Sequence, residues 1–137
     1  MPELPEIDCA CASVRRTARL ITQLYSQEMG PGIEPGQFSL LMALDKFPNA
    51  SQTGLGRALG FDKTTLSRNL QVMKRNGWIA PADLGGYHLT EAGEQQLKQT
   101  RPAWKRAQRK LRAALKGQAW ESMLAVFHNA ALAASAK

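Results

Sequence analysis

The segment FDKTTLSRNLQVMKRNGWI, Phe61 to Ile79, limits what this chain can be more than any other. Asp62 is placed as an N-cap, its carboxylate accepting from first-turn amides at the positive end of a helix. Gly77 supplies the left-handed residue that stops that helix. Between them, at about 100° per residue, Leu66, Leu70 and Met73 fall on one face. Thr64, Ser67, Arg68, Gln71 and Arg75 fall broadly on the other. A solvated helix normally mixes Lys with Glu for i,i+4 pairs. This one carries no acid after its cap, and its outward face holds hydroxyls, an amide and guanidinium groups. Such groups donate to phosphates and read base edges in a major groove. The plainer alternative is an amphipathic helix with a basic outside, and the neighbouring segments decide between the two.

Upstream, Ser51 is an N-cap for a short helix over 52–59 with Leu55 and Leu59 inward. Gly54 and Gly56 inside it cost roughly 1 kcal/mol each relative to Ala, so this helix depends on packing. Gly60-Phe61 then makes the tight turn. A short helix, a turn with Gly and a capped polar-faced helix form a helix-turn-helix unit. Downstream, Trp78-Ile79-Ala80 and Tyr87-His88-Leu89 read as short strands joined by PADLGG, a hairpin that makes the unit a winged one.

The flanks are helical. From about residue 6 to 29, Ile7, Cys11, Val14, Ala18, Ile21 and Tyr25 follow a 4-3-4-3-4 spacing, a narrow seam suited to another helix. Glu34-Pro35 starts the next helix, with Phe38, Leu41, Met42 and Leu44 or Asp45 on its inner face; FPNA at 47–50 closes it. Thr90 caps a long helix carrying Leu97, Trp104, Ala107, Leu111 and Leu115, which Pro102 should kink or divide and Gly117 should end. A last Ala-rich helix over 118–135 turns Trp120, Leu124, Phe127 and Ala131 inward. These terminal seams exceed what one compact domain can bury, which predicts a symmetric homodimer.

Charge narrows the partners. Eighteen Lys and Arg stand against 11 Asp and Glu, a net +7 that favours an anionic partner. Glu3, Glu6 and Asp8 crowd the start, while cations gather in 57–75 and 101–116. No apolar run reaches the ~18–20 residues of a membrane span, so no membrane role is expected. The acidic, Pro-punctuated start is no secretory signal, and two cysteines one residue apart are no disulfide framework. A cytoplasmic chain with reduced thiols follows as the expectation.

Three pieces together, QFSLLMAL, TGLGRALGFDKTTLSRNLQVMKRNGWI and HLTEAGEQQL, resemble the MarR family of dimeric winged-helix regulators. The resemblance runs over nearly the whole chain and implies a single mainly α domain, 1–137. In it, helices 6–29 and 101–137 join two copies, and 34–98 is the winged helix-turn-helix with a short two-stranded wing. It implies a repressor of a palindromic double-stranded DNA operator, relieved by a small-molecule effector or by thiol oxidation. The family's DNA contacts carry over to Thr64, Thr65, Ser67 and Arg68, with Lys63 beside them; Gln71 and Arg75 share that face. The family's wing is usually longer and carries an aspartate-x-arginine element whose arginine enters the minor groove. Here nothing between Arg75 and Lys98 is Lys or Arg, and the tip is Ala82-Asp83-Leu84-Gly85-Gly86. A short wing of this kind cannot make that contact. A winged-helix interaction module that has lost strong DNA binding is therefore the competing assignment.

Other residues carry weaker signals. Within a helix, Cys9 and Cys11 would stand about 200° apart, so they cannot grip one ion from one face. They are either redox sensors at the dimer junction or small inert core residues. His88 and His128 have no ligand-spaced partner, so neither a metal nor a cofactor is expected. Trp104 belongs to the core or lines a ligand pocket. RPAWKRAQRKLRAALK holds seven cations and no acid, a face that is either solvated or set against an anionic surface. No nucleophile–base pair or metal cluster supports an enzyme, a thiol peroxidase being the best such guess.

Overall fold

A computed structural model of the protein describes residues 4–116 and 119–136. Its helices and strands run α1 (Ala10–Met29), α2 (Pro35–Lys46), α3 (Gln52–Leu59), α4 (Lys63–Arg75), β1 (Ile79–Pro81), β2 (Tyr87–Leu89), α5 (Glu91–Ala114) and α6 (Ala119–Ser135). Helix α2 is the hub, in contact with α1, α3, α4, α5 and β2. Being surrounded, it buries Phe38, Leu40, Leu41 and Leu44 almost completely, while Met42 is half-buried and Asp45 exposed. A one-face pattern misses Leu40 for that reason. Leu55, Leu66, Leu70, Met73, Trp78, Ile79 and Leu97 complete the core around it.

The wing is an antiparallel pair in register Ile79↔Leu89, Ala80↔His88 and Pro81↔Tyr87. The strand thus starts one residue later than the pattern suggests, and Trp78 is a buried core residue before it. The chain leaving α2 pairs on the other side of β2, with Asn49 N–H donating to Tyr87 O at 3.1 Å and Tyr87 N–H to Ala50 O at 3.3 Å. Thr90 ties the wing to both flanking helices. Its N–H donates to Trp78 O, its hydroxyl to Gly77 O, and its hydroxyl accepts from Gly93 N–H. The first turn of α5 lies so close to β1 that a Cβ on Gly93 would fall 2.0 Å from Trp78 O. That approach is why the leucine-threonine-x-x-glycine piece needs its glycine.

Helix α5 runs undivided through Pro102. Pro102 is exposed, so the carbonyl it leaves without a donor faces water rather than the core. The expected break at Gly117 lies outside the described residues; α5 ends at Ala114, with Lys116 already left-handed. Along α1 the contact with α5 is made by Tyr25, which donates to Gln108, and by Glu28, which accepts from Lys110 and Arg106. Those two cations hold the Glu28 carboxyl below the usual carboxylate range.

Both terminal helices differ from expectation in one respect. Helix α1 begins at Ala10 rather than near Glu6, and it buries none of its side chains. Val14 is 60 % exposed, Phe127 43 % and Leu124 47 %, and Ala131 is exposed too; in α6 only Trp120 is buried. The inward face expected for α6 is a bare one. Cys11, Val14, Ala18, Ile21, Phe127 and Ala131 line an open groove of about 710 Å³ between α1 and α6.

Candidate nucleic-acid interface

Local chemistry places α3 and α4. Ser51 caps α3, its hydroxyl accepting from Gly54 N–H at 3.0 Å. Gly56 sits where the two helices cross: an added Cβ would meet Leu66 Cδ2 at 3.2 Å and Phe61 O at 3.4 Å. The helix cost of that glycine is offset by close packing of the unit. Leu55 is inward as expected, but Leu59 stands at the rim, over a third exposed.

Asp62 caps α4 with both carboxylate oxygens. Thr65 N–H donates to Oδ1 at 2.8 Å and Thr65 Oγ1 to Oδ2 at 2.8 Å. These two bonds from Thr65 hold the Asp62 carboxyl below its ordinary range. They also fix what Thr65 can do: its hydroxyl proton is committed to the cap, so toward a ligand it offers lone pairs only. Leu66, Leu70 and Met73 are buried, and the helix stops at Gly77, whose φ is +76°.

The opposite face is bare. Lys63, Thr64, Thr65, Arg68, Gln71 and Arg75 are exposed and Ser67 is half-buried. Thr64, Arg68, Gln71 and Arg75 lie at i, i+4, i+7 and i+11, a stripe about 16 Å long at 1.5 Å per residue. Among the described residues none of these cations has a carboxylate within ion-pair distance. A helix about 10–12 Å across fits a major groove about 12 Å wide.

One further cation, outside the set expected from the recognition helix, stands beside this stripe. Arg57 of α3 is exposed and, with Gln52, Thr53 and Lys63, lines a groove at the foot of α4. The gathering of cations from residue 57 onward was the available signal, since the first helix of such a unit crosses the phosphate backbone. The wing is a different surface. Ala82 N–H donates to Gly86 O and Gly85 N–H to Ala82 O, leaving Asp83 exposed and Leu84 fully so. No cation stands at its tip.

Comparison with known proteins decides the lineage. A profile of the MarR family matches residues 32–86. The crystal structure of the M. tuberculosis transcriptional regulator MosR superposes with a TM-score of 0.81 at 30 % identity, over 92 % of this chain and 97 % of that one. This chain belongs to the MarR family. It is a transcriptional regulator and not an enzyme. MosR in complex with DNA matches at 30 % identity, TM-score 0.78, over 95 % of this chain and 100 % of that one. The PcaV regulator of Streptomyces coelicolor with its natural ligand shares the fold, with TM-score 0.82 at 18 % identity over 98 % and 100 % of the two chains. No curated protein matches the chain.

Two features of this MarR-family chain lie away from α4. Cys9 is the extended residue that precedes α1, with φ −151° and ψ 116°, and Cys11 lies within the helix. Both are exposed, so they are not core residues of the single chain. In the basic stretch of α5, Arg106 and Lys110 share Glu28, and Arg112 pairs with Glu121 at 2.9 Å. Arg101, Lys105 and Arg109 line an open cleft along α5. Trp104 is half-buried, its ring 5.9 Å from that of Phe38 and so part of the packing of α2 on α5. Among the described residues no helix is long and apolar enough to cross a membrane.

Proposed function

We propose that the protein is a homodimeric, cytoplasmic repressor that reads a palindromic DNA operator through Lys63, Thr64, Thr65, Ser67, Arg68, Gln71 and Arg75. The observation that carries this is the exposed face of α4, whose cations have no carboxylate within ion-pair distance among the described residues. Phosphate contacts supply affinity and register and base contacts supply sequence specificity, and both kinds of donor are present. The DNA complex of MosR, at 30 % identity, supports the same partner. The two copies meet through the segments 6–29 and 101–137, and 34–98 reads the duplex. Selection of bound sequences from a random duplex pool tests the whole proposal. An inverted repeat is the expected product, and recovery of no common sequence would leave the winged-helix interaction module as the better account.

Release follows from a small ligand or from oxidation. The PcaV structure with its natural ligand supports a small-molecule effector by analogy of fold. The thiols support the second route, because Cys11 lines the apolar groove between α1 and α6 and Cys9 is the exposed N-cap residue of α1. A thiolate that attacks peroxide forms an S–O bond as the O–O bond breaks, the second oxygen leaving as hydroxide, and the resulting sulfenic acid places oxygen where the two copies would pack. Peroxide is expected to weaken operator binding at least several-fold and dithiothreitol to restore it. A Cys9→Ser, Cys11→Ser double variant that responds like the wild type would remove the cysteines from regulation and leave the ligand route alone.

A further inference from the structure

Gln37 is one of two polar side chains buried among the described residues, with 7 % exposure. Both ends of its amide are used. Oε1 accepts from Glu34 N–H at 3.1 Å, and Nε2 donates to Asn69 Oδ1 at 3.3 Å. Asn69 is half-buried in the middle of α4, next to Arg68 and two positions before Gln71. Beside it, Gly36 brings the start of α2 against the Phe61 ring, where an added Cβ would lie 3.2 Å from Cζ. The rest of the seat of α4 is apolar: Leu66, Leu70 and Met73.

Apolar packing is non-directional, so it holds a helix down without fixing its rotation closely. A hydrogen bond has a distance and an angle. The difference matters at the reading face. On a helix about 10–12 Å across, a 20° rotation moves a side-chain tip by roughly 2 Å, enough to lose a bond to a base edge.

We infer that Gln37 is a positioning residue, whose bond to Asn69 sets the rotation of α4 against α2. The same amide holds Glu34 at the end of the loop that leaves α1, so the loop after the first helix and the reading face are linked through one side chain. This rests on α4 being the reader, and the test separates the two. Gln37→Met keeps length and bulk but removes both bonds; Asn69→Ala removes only the bond between helices.

Two measurements are needed on the full chain. In the free protein, amide hydrogen exchange over residues 66–72 is expected to quicken about two- to tenfold in each variant, the worth of one net hydrogen bond. On DNA, the ratio of selected-operator to random-duplex affinity is expected to fall by a similar factor. Random-duplex affinity and its salt slope should stay unchanged, which simple loss of stability would not produce. The double variant should be no worse than the worse single one. Unchanged exchange overturns the linkage whatever the DNA result. A ratio that falls for Asn69→Ala but not for Gln37→Met also overturns it, because Asn69 would then be touching DNA itself. Faster exchange in a wild-type background that prefers no duplex upholds the link between helices and removes the operator instead.

Discussion

Val14→Asp and Phe127→Asp are each expected to yield a folded monomer that binds the operator about 10²- to 10⁴-fold more weakly than the wild type. Both side chains line the groove between α1 and α6, and both are largely exposed in the single chain. An exposed carboxylate there costs an isolated protomer little, so the fold of residues 34–98 should survive. In a dimer the same carboxylate is desolvated in an apolar seam, where Arg15 is the single cation among the described residues lining that groove. Leu124, Val126 and Leu132 of α6 are exposed as well. An apolar groove left open in this way is the mark of an interface. The joined area should be of the obligate kind, beyond ~2,000 Å² in total. The affinity factor is that of tethering: binding at one half-site makes the second intramolecular, and a monomer forgoes that gain. Sedimentation and operator titration on the same samples give both readings. A wild type that sediments as a folded monomer at micromolar concentration would remove the dimer, and a monomeric variant with full affinity would remove the palindrome.

The helix-turn-helix was legible because its signals are local. Ser51, Asp62 and Thr90 each cap the helix they were expected to cap, and Gly77 stops α4, because such bonds span three residues and need no distant partner. The wing was displaced by only one residue. What was misjudged depended on neighbours. Leu124, Phe127 and Ala131 have an apolar spacing that points inward, yet all three stay exposed among the described residues. Periodicity reports that a face wants cover, not what covers it. Leu40 was missed because α2 is enclosed on several sides, and Cys9 was placed in a helix that starts one residue after it. At the site, the exposed stripe on α4 was readable from spacing. The bond from Gln37 to Asn69 was not, since it joins residues 32 positions apart.

The remaining expectation separates the reading helix from the wing. Arg68 is exposed in the second turn of α4, where helices in the major groove make base contacts. Its guanidinium can take guanine bidentately, so Arg68→Ala should cost ~1–3 kcal/mol and relax preference at one position of each half-site. Arg75, at the last turn, is placed for phosphate instead. Its loss should weaken all duplexes alike and lower the salt slope by about one per subunit. Asp83 stands exposed at the wing tip with the wrong sign for the same phosphates. Asp83→Arg should therefore strengthen binding, mostly without regard to sequence. Isotherms for the three variants on matched and scrambled operators, at two salt concentrations, resolve these effects. If Arg68→Ala and Arg75→Ala both leave affinity unchanged, α4 is not the reader. If only Asp83→Arg is silent, the wing stays clear of the duplex and α4 reads alone.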